Sequence, residues 1–436
     1  MSAPGTPQTQ EALSAVRIDG RTIGSWRQPA GEAELAALLA EANGRGQSVI
    51  PMGGRSHLDW GNPPRSSDIG LSLAGMDQVV SCRPDDMLLT VQAGCTLHRI
   101  QEELAAHRQF LPVDPEAGPE STIGGLVAVN AYGPMRLQHG RLRDHILGIR
   151  VVTAEGARTK CGGQVVKNVS GYDLSKFYAG SLGWLGVFTE FHLKTAPLAE
   201  YACSGRIRQS DFSALQRIGQ QILDRGLAPR SQVIAPGRVL EATDPAGVPE
   251  EALELAVQFA GHPESVAWQC RQVSELAGPL AGEAIRWVEE SAGDPFWQRI
   301  SRFGFDSRSP DDVLLKVIAP FSLTADLLRE CRAFSERSGR PFTWLCYAGC
   351  NLLWVLFPRR AAEDGSWAEL ASWLETLRRR LRTRRAELIL ARAPRELKEL
   401  FEVWGVEGRP LELMLQIKKQ LDPKSILNPG RYVGRQ

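Results

Sequence analysis

Three glycine-rich turns are the part of this sequence whose residue types and spacing are best suited to chemistry. Consecutive residues with little or no side chain let several main-chain N–H groups converge on one anion, which a diphosphate bound without a metal requires. The turns are Pro51-Met52-Gly53-Gly54-Arg55-Ser56-His57, Ser121-Thr122-Ile123-Gly124-Gly125 and Gly180-Ser181-Leu182-Gly183-Trp184-Leu185-Gly186-Val187. Together they predict one pocket for a long anionic ligand, which we interpret as FAD.

Each turn taken alone also has a purely structural interpretation. Gly53-Gly54 by itself is more typical of a tight turn than of a phosphate site. The second turn is equally compatible with a glycine-kinked core helix and with a helix N-terminus that directs its amides at phosphates. Trp184 in the third turn either shields a cofactor or packs within an ordinary core. The prediction of a cofactor site therefore depends on the three turns meeting.

A polar loop between the second and third turns supplies further candidates. Lys167 and Asn168 are expected to face the flavin, whereas Asp173 in the same loop is explained as the N-cap of a helix. Arg143 and Asp144 are interpreted as a structural ion pair. The sequence contains no motif of a Rossmann dehydrogenase, a P-loop enzyme, a zincin or an elbow-type hydrolase, which excludes those classes.

The elements that must position the turns alternate as short strands and helices before Pro197, which favours α+β or α/β packing. Longer amphipathic helices follow, within two β-α-β units that fit a small antiparallel sheet with helices on one face. A helix predicted over Trp367–Leu388 carries an arginine cluster, interpreted as a solvated basic face, with a docking face for an acidic partner as the alternative. The cluster consists of Arg378, Arg379, Arg380, Arg382, Arg384 and Arg385.

Bulk composition limits the function classes. A chain of 436 residues is long enough for two or three domains, and its net charge of +1 gives no basis for nucleic acid or an anionic membrane as the main partner. Residues 1–15 are polar, so we expect a disordered tail rather than a secretory signal, and no apolar run is long enough for a transmembrane segment. The eight cysteines form no C-x-x-C pair. We expect them to be reduced and buried in a cytoplasmic protein, and no metal site is predicted.

The order and spacing of the glycine runs resemble the FAD domain of the p-cresol methylhydroxylase (PCMH) and vanillyl-alcohol oxidase superfamily. Within it, the sequence closely resembles the FAD-binding subunit of glycolate oxidase (glycolate dehydrogenase). The resemblance is strong over Ile23–Pro197 and at the C-terminus, and weak between them. The motifs that carry it are Gly53 to Pro64, Gly140 to Gly148, Gly162 to Lys176, and Leu421-Asp422-Pro423 to Asn428-Pro429-Gly430-Arg431.

The resemblance implies an α+β fold, in which a two-lobed PCMH-type FAD-binding domain is combined with a ferredoxin-like cap domain that has an antiparallel sheet. The implied FAD-binding domain covers residues 16–197. The cap covers 198–408 as two split β-α-β halves, and a C-terminal segment, 409–436, returns to the FAD domain.

The same resemblance implies roles for individual residues. The pyrophosphate role falls on Gly53, Gly54, Arg55 and Ser56, with His57 as a further cofactor-binding candidate. Contacts with the diphosphate and the flavin fall on Ser121, Thr122, Gly124 and Gly125. Backbone contacts on the adenine side fall on Gly186 and Val187.

Two departures from the family pattern matter. Members with covalently attached flavin commonly place a histidine directly after the paired glycines, where this chain has Arg55, so we predict non-covalent FAD. Related flavin dehydrogenases of 2-hydroxy acids also carry His-Ala-Gly-Asp-Gly-Asn-Leu-His in the cap, whose imidazoles hold a metal or orient the substrate. The corresponding segment here runs from Tyr347 to Trp354, with an aromatic residue in place of each histidine.

The second departure leaves the catalytic residues unassigned and predicts an accessory flavin subunit. Its expected partners are the catalytic flavin subunit and the iron–sulfur subunit of a glycolate oxidase complex. Attachment to the inner face of a membrane through those partners stays open. The alternatives are a self-sufficient FAD-dependent dehydrogenase of an unknown hydroxy acid and a degenerate flavin fold that serves as a scaffold.

Overall fold

A computed structural model of the protein describes residues 16–163, 174–241, 248–249, 251–278, 285–290, 295–306, 309, 311–359 and 367–435. The chain divides into two compact units. Unit 1 comprises Met1–Ala131, Arg141–Leu198 and Glu402–Gln436, and unit 2 comprises Tyr132–Gly140 and Ala199–Phe401. The expected tail at residues 1–15 lies outside the described residues.

Unit 1 contains two larger sheets of different kinds and two small strand pairs. Its strands are β1 (Arg17–Ile18), β2 (Arg21–Thr22), β3 (Ser25–Arg27), β4 (Val49–Met52), β5 (Ile69–Ser72), β6 (Val79–Arg83), β7 (Leu88–Gln92), β8 (Gln109–Phe110), β9 (Ile146–Val152), β10 (Arg158–Gly162), β11 (Val187–Lys194) and β12 (Ala196–Pro197). Strands β3-β5-β4 form a parallel sheet, and β10-β9-β11-β7-β6 form an antiparallel one. Strand β1 pairs with β2, and β12 pairs with β8.

Short helices connect these strands. They are the α-helices Glu32–Arg45, Leu97–Ala105, Ile123–Val129, Leu174–Tyr178 and Arg409–Leu421 and the 3-10 helices Pro84–Asp86, Leu142–His145 and Val433–Arg435. None of the described helices in either unit is long and apolar enough to cross a membrane.

The first glycine turn is positioned by a helix and the strand that follows it. Helix Glu32–Arg45 buries Leu35 and Leu39 and stops at Gly46, whose φ of 65° lies in the left-handed region that glycine adopts without strain. The chain then enters the apolar strand β4, which pairs in parallel with β5. Because β4 ends at Met52, Gly53 is the first residue beyond the end of a parallel strand.

Unit 2 is dominated by one antiparallel sheet. Its strands are β13 (Tyr201–Gln209), β14 (Ser231–Pro236), β15 (Leu253–Gly261), β16 (Arg286–Glu289), β17 (Val313–Ile318), β18 (Thr343–Tyr347), β19 (Leu352–Phe357) and β20 (Glu387–Arg392). Its helices are Arg136–His139, Phe212–Asp224, Gly237–Leu240, Pro263–Ala277, Pro295–Ser301, Thr324–Ser338, Trp367–Thr383 and Arg395–Leu400, with a 3-10 turn at Phe321–Leu323.

The sheet of unit 2 consists of two similar halves. Its order is β16-β13-β15-β14-β18-β19-β17-β20. Within each half, the fourth strand in sequence lies beside the first, then the third, then the second, and a helix follows the first and the third strand. This is the order of a split β-α-β fold. The two halves join where β14 pairs with β18, and the mixture of helices and antiparallel sheets confirms the α+β class.

Two sequence-based expectations about the helix predicted over Trp367–Leu388 are wrong. The helix predicted over Trp367–Leu388 ends at Thr383, and residues 387–392 instead form the edge strand β20. The arginine cluster is also less uniform than predicted. Arg378 is buried, with its guanidinium carbon 3.7 Å from the centre of the Phe401 ring, whereas the other five arginines are exposed. The solvated-face interpretation is therefore wrong for Arg378.

Candidate functional site

The three glycine turns lie in one cleft of unit 1. The outer part, of about 470 Å³, is lined by residues 51–58 of the first turn together with Ser121, Thr122 and Gly125 of the second. A deeper part, of about 380 Å³, adds Gly124 and the third-turn residues Gly183, Gly186 and Val187. Gly53, Thr122, Gly125 and Leu182 line both parts, so the two are continuous. The three turns, which span 136 positions of the sequence, thus share one cleft.

The first turn has the form of an anion cradle. A Cβ atom on Gly53 would lie 2.0 Å from Thr122 Oγ1, so no side chain fits there. Arg55 has a φ of 62°, an uncommon left-handed conformation for a residue with a side chain. Within the described chain, the main-chain N–H groups of Gly53, Arg55 and Ser56 donate to no protein acceptor. A group with several acceptor oxygens would satisfy them.

Thr122 connects the second turn to the first. Its hydroxyl oxygen accepts the amide protons of Gly125 and Gly54, each at 3.3 Å, and it is the N-cap of helix Ile123–Val129. Beside it, the hydroxyl of Ser121 donates to Ser56 Oγ at 2.9 Å. The second turn is therefore the start of a helix with a buried apolar body. The amides of its first three residues donate to Cys95 O, Ala93 O and Thr122 Oγ1, so the expectation that they are directed at phosphates is wrong.

Gly124 has a packing role in the cleft that differs from the role of the other glycines. Its amide donates to Ala93 O at 2.8 Å, and a Cβ at this position would lie 2.8 Å from the same oxygen. The residue therefore lets helix Ile123–Val129 approach the end of β7 closely. Its N–H is not available to a ligand, so Gly124 can touch one only through its Cα.

The third turn is tied to the same helix. The amide of Leu182 donates to Ala128 O at 2.8 Å, and a Cβ on Gly186 would lie 2.4 Å from Val151 Cγ1. Trp184 is buried away from the cleft lining, with its ring 5.2 Å from that of Tyr432. Of the two interpretations of Trp184, ordinary packing is the one that the structure supports.

The C-terminal tail contributes residues that the sequence-based set of candidates misses. Asn428 and Arg431 line the outer part of the cleft. Asn428 Nδ2 donates to Leu182 O at 2.5 Å, and Arg431 Nη2 donates to the carbonyl oxygens of Leu58 and Trp60, both at 2.7 Å. The tail therefore joins the third turn to the segment after the first. The Asn-Pro-Gly-Arg motif was the available signal, but a sequence does not show which turns a remote tail contacts.

Charged groups beneath the third turn are fully enclosed. Lys418 Nζ donates to Trp184 O at 2.7 Å, to Asp422 Oδ2 at 2.5 Å and to Leu427 O at 3.1 Å. Burial lowers the pKa of Lys418 to about 8, although the Asp422 carboxylate opposes the shift. Burial also raises the pKa of Tyr432 to about 12. These groups hold the tail to the turn and do not line the cleft.

His57 is buried at the cleft edge beside a second buried titratable group. Its Nε2 lies 3.8 Å from Glu116 Oε1, and its ring packs edge-on against Trp60 at 5.1 Å. Glu116 was not among the predicted site residues. Lys167 and Asn168 lie outside the described residues. Arg143 and Asp144 form a 3.9 Å ion pair between partly exposed side chains, as a structural pair would.

In unit 2, the segment that departs from the family motif forms the β18–β19 hairpin. Tyr347 ends β18 and pairs with Leu352, while Trp354 lies on β19. Both aromatic side chains are about 1% exposed. Lys316 Nζ lies 5.2 Å from the centre of the Trp354 ring and 4.4 Å from that of Tyr132. The two positions are thus occupied by packed aromatic rings, which supply no imidazole ligand.

Comparison with known proteins agrees with this geometry. Residues 26–162 match the family described as FAD binding domain, and residues 402–432 match the family described as FAD linked oxidases, C-terminal domain. These two segments contain the first two turns and the tail that line the cleft. The cofactor is FAD. The glycine cradle and the unsatisfied amides beside it suit the diphosphate of that group.

The wider similarities are to a dehydrogenase and to oxidase subunits. The chain is 24% identical to the mitochondrial D-lactate dehydrogenase [cytochrome] of Arabidopsis thaliana, over 93% of this chain and 72% of that protein. It is 38% identical to glycolate oxidase subunit GlcE of Escherichia coli (strain K12), over 33% of this chain and 41% of that one. It is 31% identical to subunit GlcD of Bacillus subtilis (strain 168), over 46% of this chain and 40% of that one.

A solved structure confirms the fold. Alkyldihydroxyacetonephosphate synthase superimposes with a TM-score of 0.68 at 16% identity, covering 93% of this chain and 77% of that one. The fold is the PCMH-type FAD-binding fold, and the chain is an FAD-dependent oxidoreductase.

Proposed function

We propose that this chain is the FAD-binding accessory subunit of a complex that oxidises glycolate or a related 2-hydroxy acid. In this proposal it holds FAD non-covalently and relays electrons toward an iron–sulfur partner. The observation that carries the proposal is a contrast between the units. The three glycine turns of unit 1 line one cleft, whereas in unit 2 aromatic side chains occupy the positions of the family's paired histidines.

Different residues of unit 1 would contact different parts of FAD. The amides of Gly53, Arg55 and Ser56 would bind the diphosphate, and Ser121 and Thr122 would hold that cradle in shape. Gly186 and Val187 would line the adenine side, and Lys167 and Asn168 stay candidates for the flavin side. FAD supplies the electron-accepting chemistry, while the protein binds it, orients it and sets its potential.

Arg55 supports non-covalent attachment. It stands directly after the paired glycines, where a guanidinium offers no nucleophilic nitrogen comparable to an imidazole. His57 is engaged in a buried arrangement with Glu116 and Trp60.

The proposal of an iron–sulfur partner rests on the arrangement of this chain's cysteines. Iron–sulfur clusters need several cysteine thiolates brought together. The eight cysteines here are free thiols, six of them buried and two, Cys82 and Cys161, half-buried, and no three of them form a ligand cluster among the described residues. An iron–sulfur partner would supply its own ligands, and a catalytic flavin subunit would oxidise the hydroxy acid. The similarity to GlcE and GlcD supports membership of such a complex, and we propose the cytoplasm as its compartment.

A second candidate function is a self-sufficient dehydrogenase of another hydroxy acid. The observation in its favour is the similarity to D-lactate dehydrogenase [cytochrome], which extends over 93% of the chain, far beyond the match to GlcE. A degenerate scaffold is disfavoured because the cleft and its amides are preserved.

Purification of the chain alone and with its co-expressed partners separates these functions. The accessory subunit should be yellow alone but reduce a dye with glycolate only in the complex. Comparable dye reduction by the isolated chain with any 2-hydroxy acid would favour the self-sufficient dehydrogenase. A colourless chain that takes up no added FAD, yet co-purifies with partners, would favour the scaffold.

A further inference from the structure

Unit 1 contains a cluster of metal-ligating side chains away from the cleft. Cys82, Glu103 and His107 each present one ligand atom, and these three atoms lie within 4.8 Å of one another. A thiolate sulfur, a carboxylate oxygen and an imidazole nitrogen are the three donor types that Zn²⁺ takes in proteins. The cluster is separate from the residues that line the proposed FAD site.

Secondary structure explains why these residues meet. Cys82 lies on β6, in register with Leu89 of β7. Glu103 lies near the end of helix Leu97–Ala105. His107 follows four positions later in a turn, where its own amide donates to Leu104 O at 3.0 Å. Four positions is the spacing that places two side chains on one helix face. Because 21 positions separate Cys82 from Glu103, the sequence shows no compact ligand motif.

The exposure of the three residues suits a site whose metal ion can enter from solvent and return to it. Cys82 is half-buried, while Glu103 and His107 are exposed, so an ion has an entry path. Among the described residues, the Glu103 and His107 side chains enter no salt bridge and no hydrogen bond. The neighbouring pair on the same helix differs, since His98 Nε2 and Glu102 Oε1 lie 3.2 Å apart and satisfy each other.

We propose that Cys82, Glu103 and His107 bind one Zn²⁺ ion, with water in the fourth position. Binding releases the thiol proton to solvent, and the thiolate and the carboxylate then balance the charge of the ion. Three protein ligands and an open position are typical of Zn²⁺ sites that remain accessible.

The metal would join β6 to a helix that supports the cofactor site. Thr96, the N-cap of helix Leu97–Ala105, forms an isolated bridge with Thr122 of the second glycine turn. The amide of Leu97 also donates to Ser121 O at 2.9 Å. An ion that binds only the folded chain therefore raises the stability of the lobe that carries this turn.

Cobalt substitution tests the proposal on the full-length, FAD-loaded chain. After removal of metals with a chelator, Co²⁺ is titrated in. Difference spectra against the metal-free, FAD-loaded chain are recorded from the near-ultraviolet, where the charge-transfer band lies, to wavelengths longer than those the flavin absorbs. We expect one Co²⁺ per chain with tetrahedral d–d bands and a thiolate-to-cobalt charge-transfer band, both abolished by added Zn²⁺. Cys82→Ser should remove the charge-transfer band, and Glu103→Gln and His107→Ala should weaken binding by about 10-fold or more.

Two matched controls keep the experiment decisive. His98→Ala removes an exposed histidine from the same helix, and Cys161→Ser removes the other half-buried thiol. Both should bind Co²⁺ as the wild type does, and unchanged FAD content in every variant shows that the fold is intact. Absence of a thiolate–cobalt band in the wild type, or its persistence in Cys82→Ser, would overturn the proposal.

Discussion

Gly53 and Thr122 show how closely the first two turns approach. The 2.0 Å between a Cβ on Gly53 and Thr122 Oγ1 leaves no room for a side chain, and that hydroxyl also holds the amides of Gly54 and Gly125. A larger residue at position 53 must displace Thr122 and distort the cradle.

We therefore predict that Gly53→Val weakens FAD binding by roughly 5- to 150-fold, the equivalent of about 1–3 kcal/mol of overpacking. The measurement is FAD titration of the apoprotein, followed by fluorescence. Gly31→Ala is the matched control, because a Cβ there meets nothing within 4 Å and φ is extended. Wild-type affinity in Gly53→Val, with a native circular dichroism spectrum, would refute the assignment of the first turn.

Arg55 carries a second prediction at this scale. Because no histidine directly follows the paired glycines, the flavin should be released when the protein is precipitated with acid. The yellow colour should appear in the supernatant and the pellet should be colourless. A yellow pellet that stays yellow after denaturant washes would demonstrate a covalent link.

The predictability of the site residues differs for physical reasons. The sequence predicted a shared pocket for Gly53, Gly54, Gly125 and Gly186, because glycine-rich turns can be recognised from the residues alone. The structure places all four in the lining of one cleft. Asn428 and Arg431 were not assigned to the site, since their role depends on contacts with turns more than 200 positions away. Gly124 was identified, but the sequence did not show that its amide is already bonded to Ala93.

At the scale of elements, helix Arg409–Leu421 is fastened to the third turn by one lysine. Lys418 and Asp422 are 2% and 0% exposed, and Asp422 also accepts the amides of Ile426 and Leu427. Removing one partner of a buried ion pair leaves the other charge uncompensated.

We predict that Lys418→Met lowers the free energy of unfolding by about 3–5 kcal/mol. Lys419→Met, at the exposed neighbouring position, should change it by less than about 0.5 kcal/mol. Denaturant titration of both variants measures the difference. Equal stability of the two variants would show that the buried ion pair does not anchor the tail.

The same lysine predicts a pH dependence. Its pKa is about 8 in the folded protein, against the usual 10.5, so between these values the unfolded chain holds the proton more tightly. The free energy of unfolding of the wild type, minus that of Lys418→Met, should rise from pH 8 to pH 10.5, by up to about 3 kcal/mol. A flat or falling difference in denaturant titrations over this range would contradict the assigned direction.

Strands were predictable from the sequence where an apolar run was the dominant pattern. Strands β4, β17 and β19 are predictable from the sequence, because each is a short apolar run bounded by turn residues. Strands β15 and β20 were missed, since both are rich in leucine, alanine and glutamate, which favour helices. Tertiary pairing decided their conformation: β15 lies between β13 and β14, and β20 pairs with β17.

At the scale of the whole molecule, the chain places distant segments in one unit around a cofactor cleft. Unit 1 gathers residues from both ends of the sequence, and the tail contacts both the first and the third turn. The split β-α-β halves of unit 2 were predictable from their repeated pattern of strands and helices.

In the proposed site, the three glycine turns and the C-terminal tail of unit 1 bind one FAD molecule together. Hydrogen exchange of the full-length chain, with and without FAD, tests it most directly by mass spectrometry of peptides. We predict simultaneous protection of peptides that cover 53–57, 121–125, 180–187 and 428–431, with the strands of unit 2 unchanged. Protection of only one of these segments, or of none while FAD is bound, would contradict a shared FAD site.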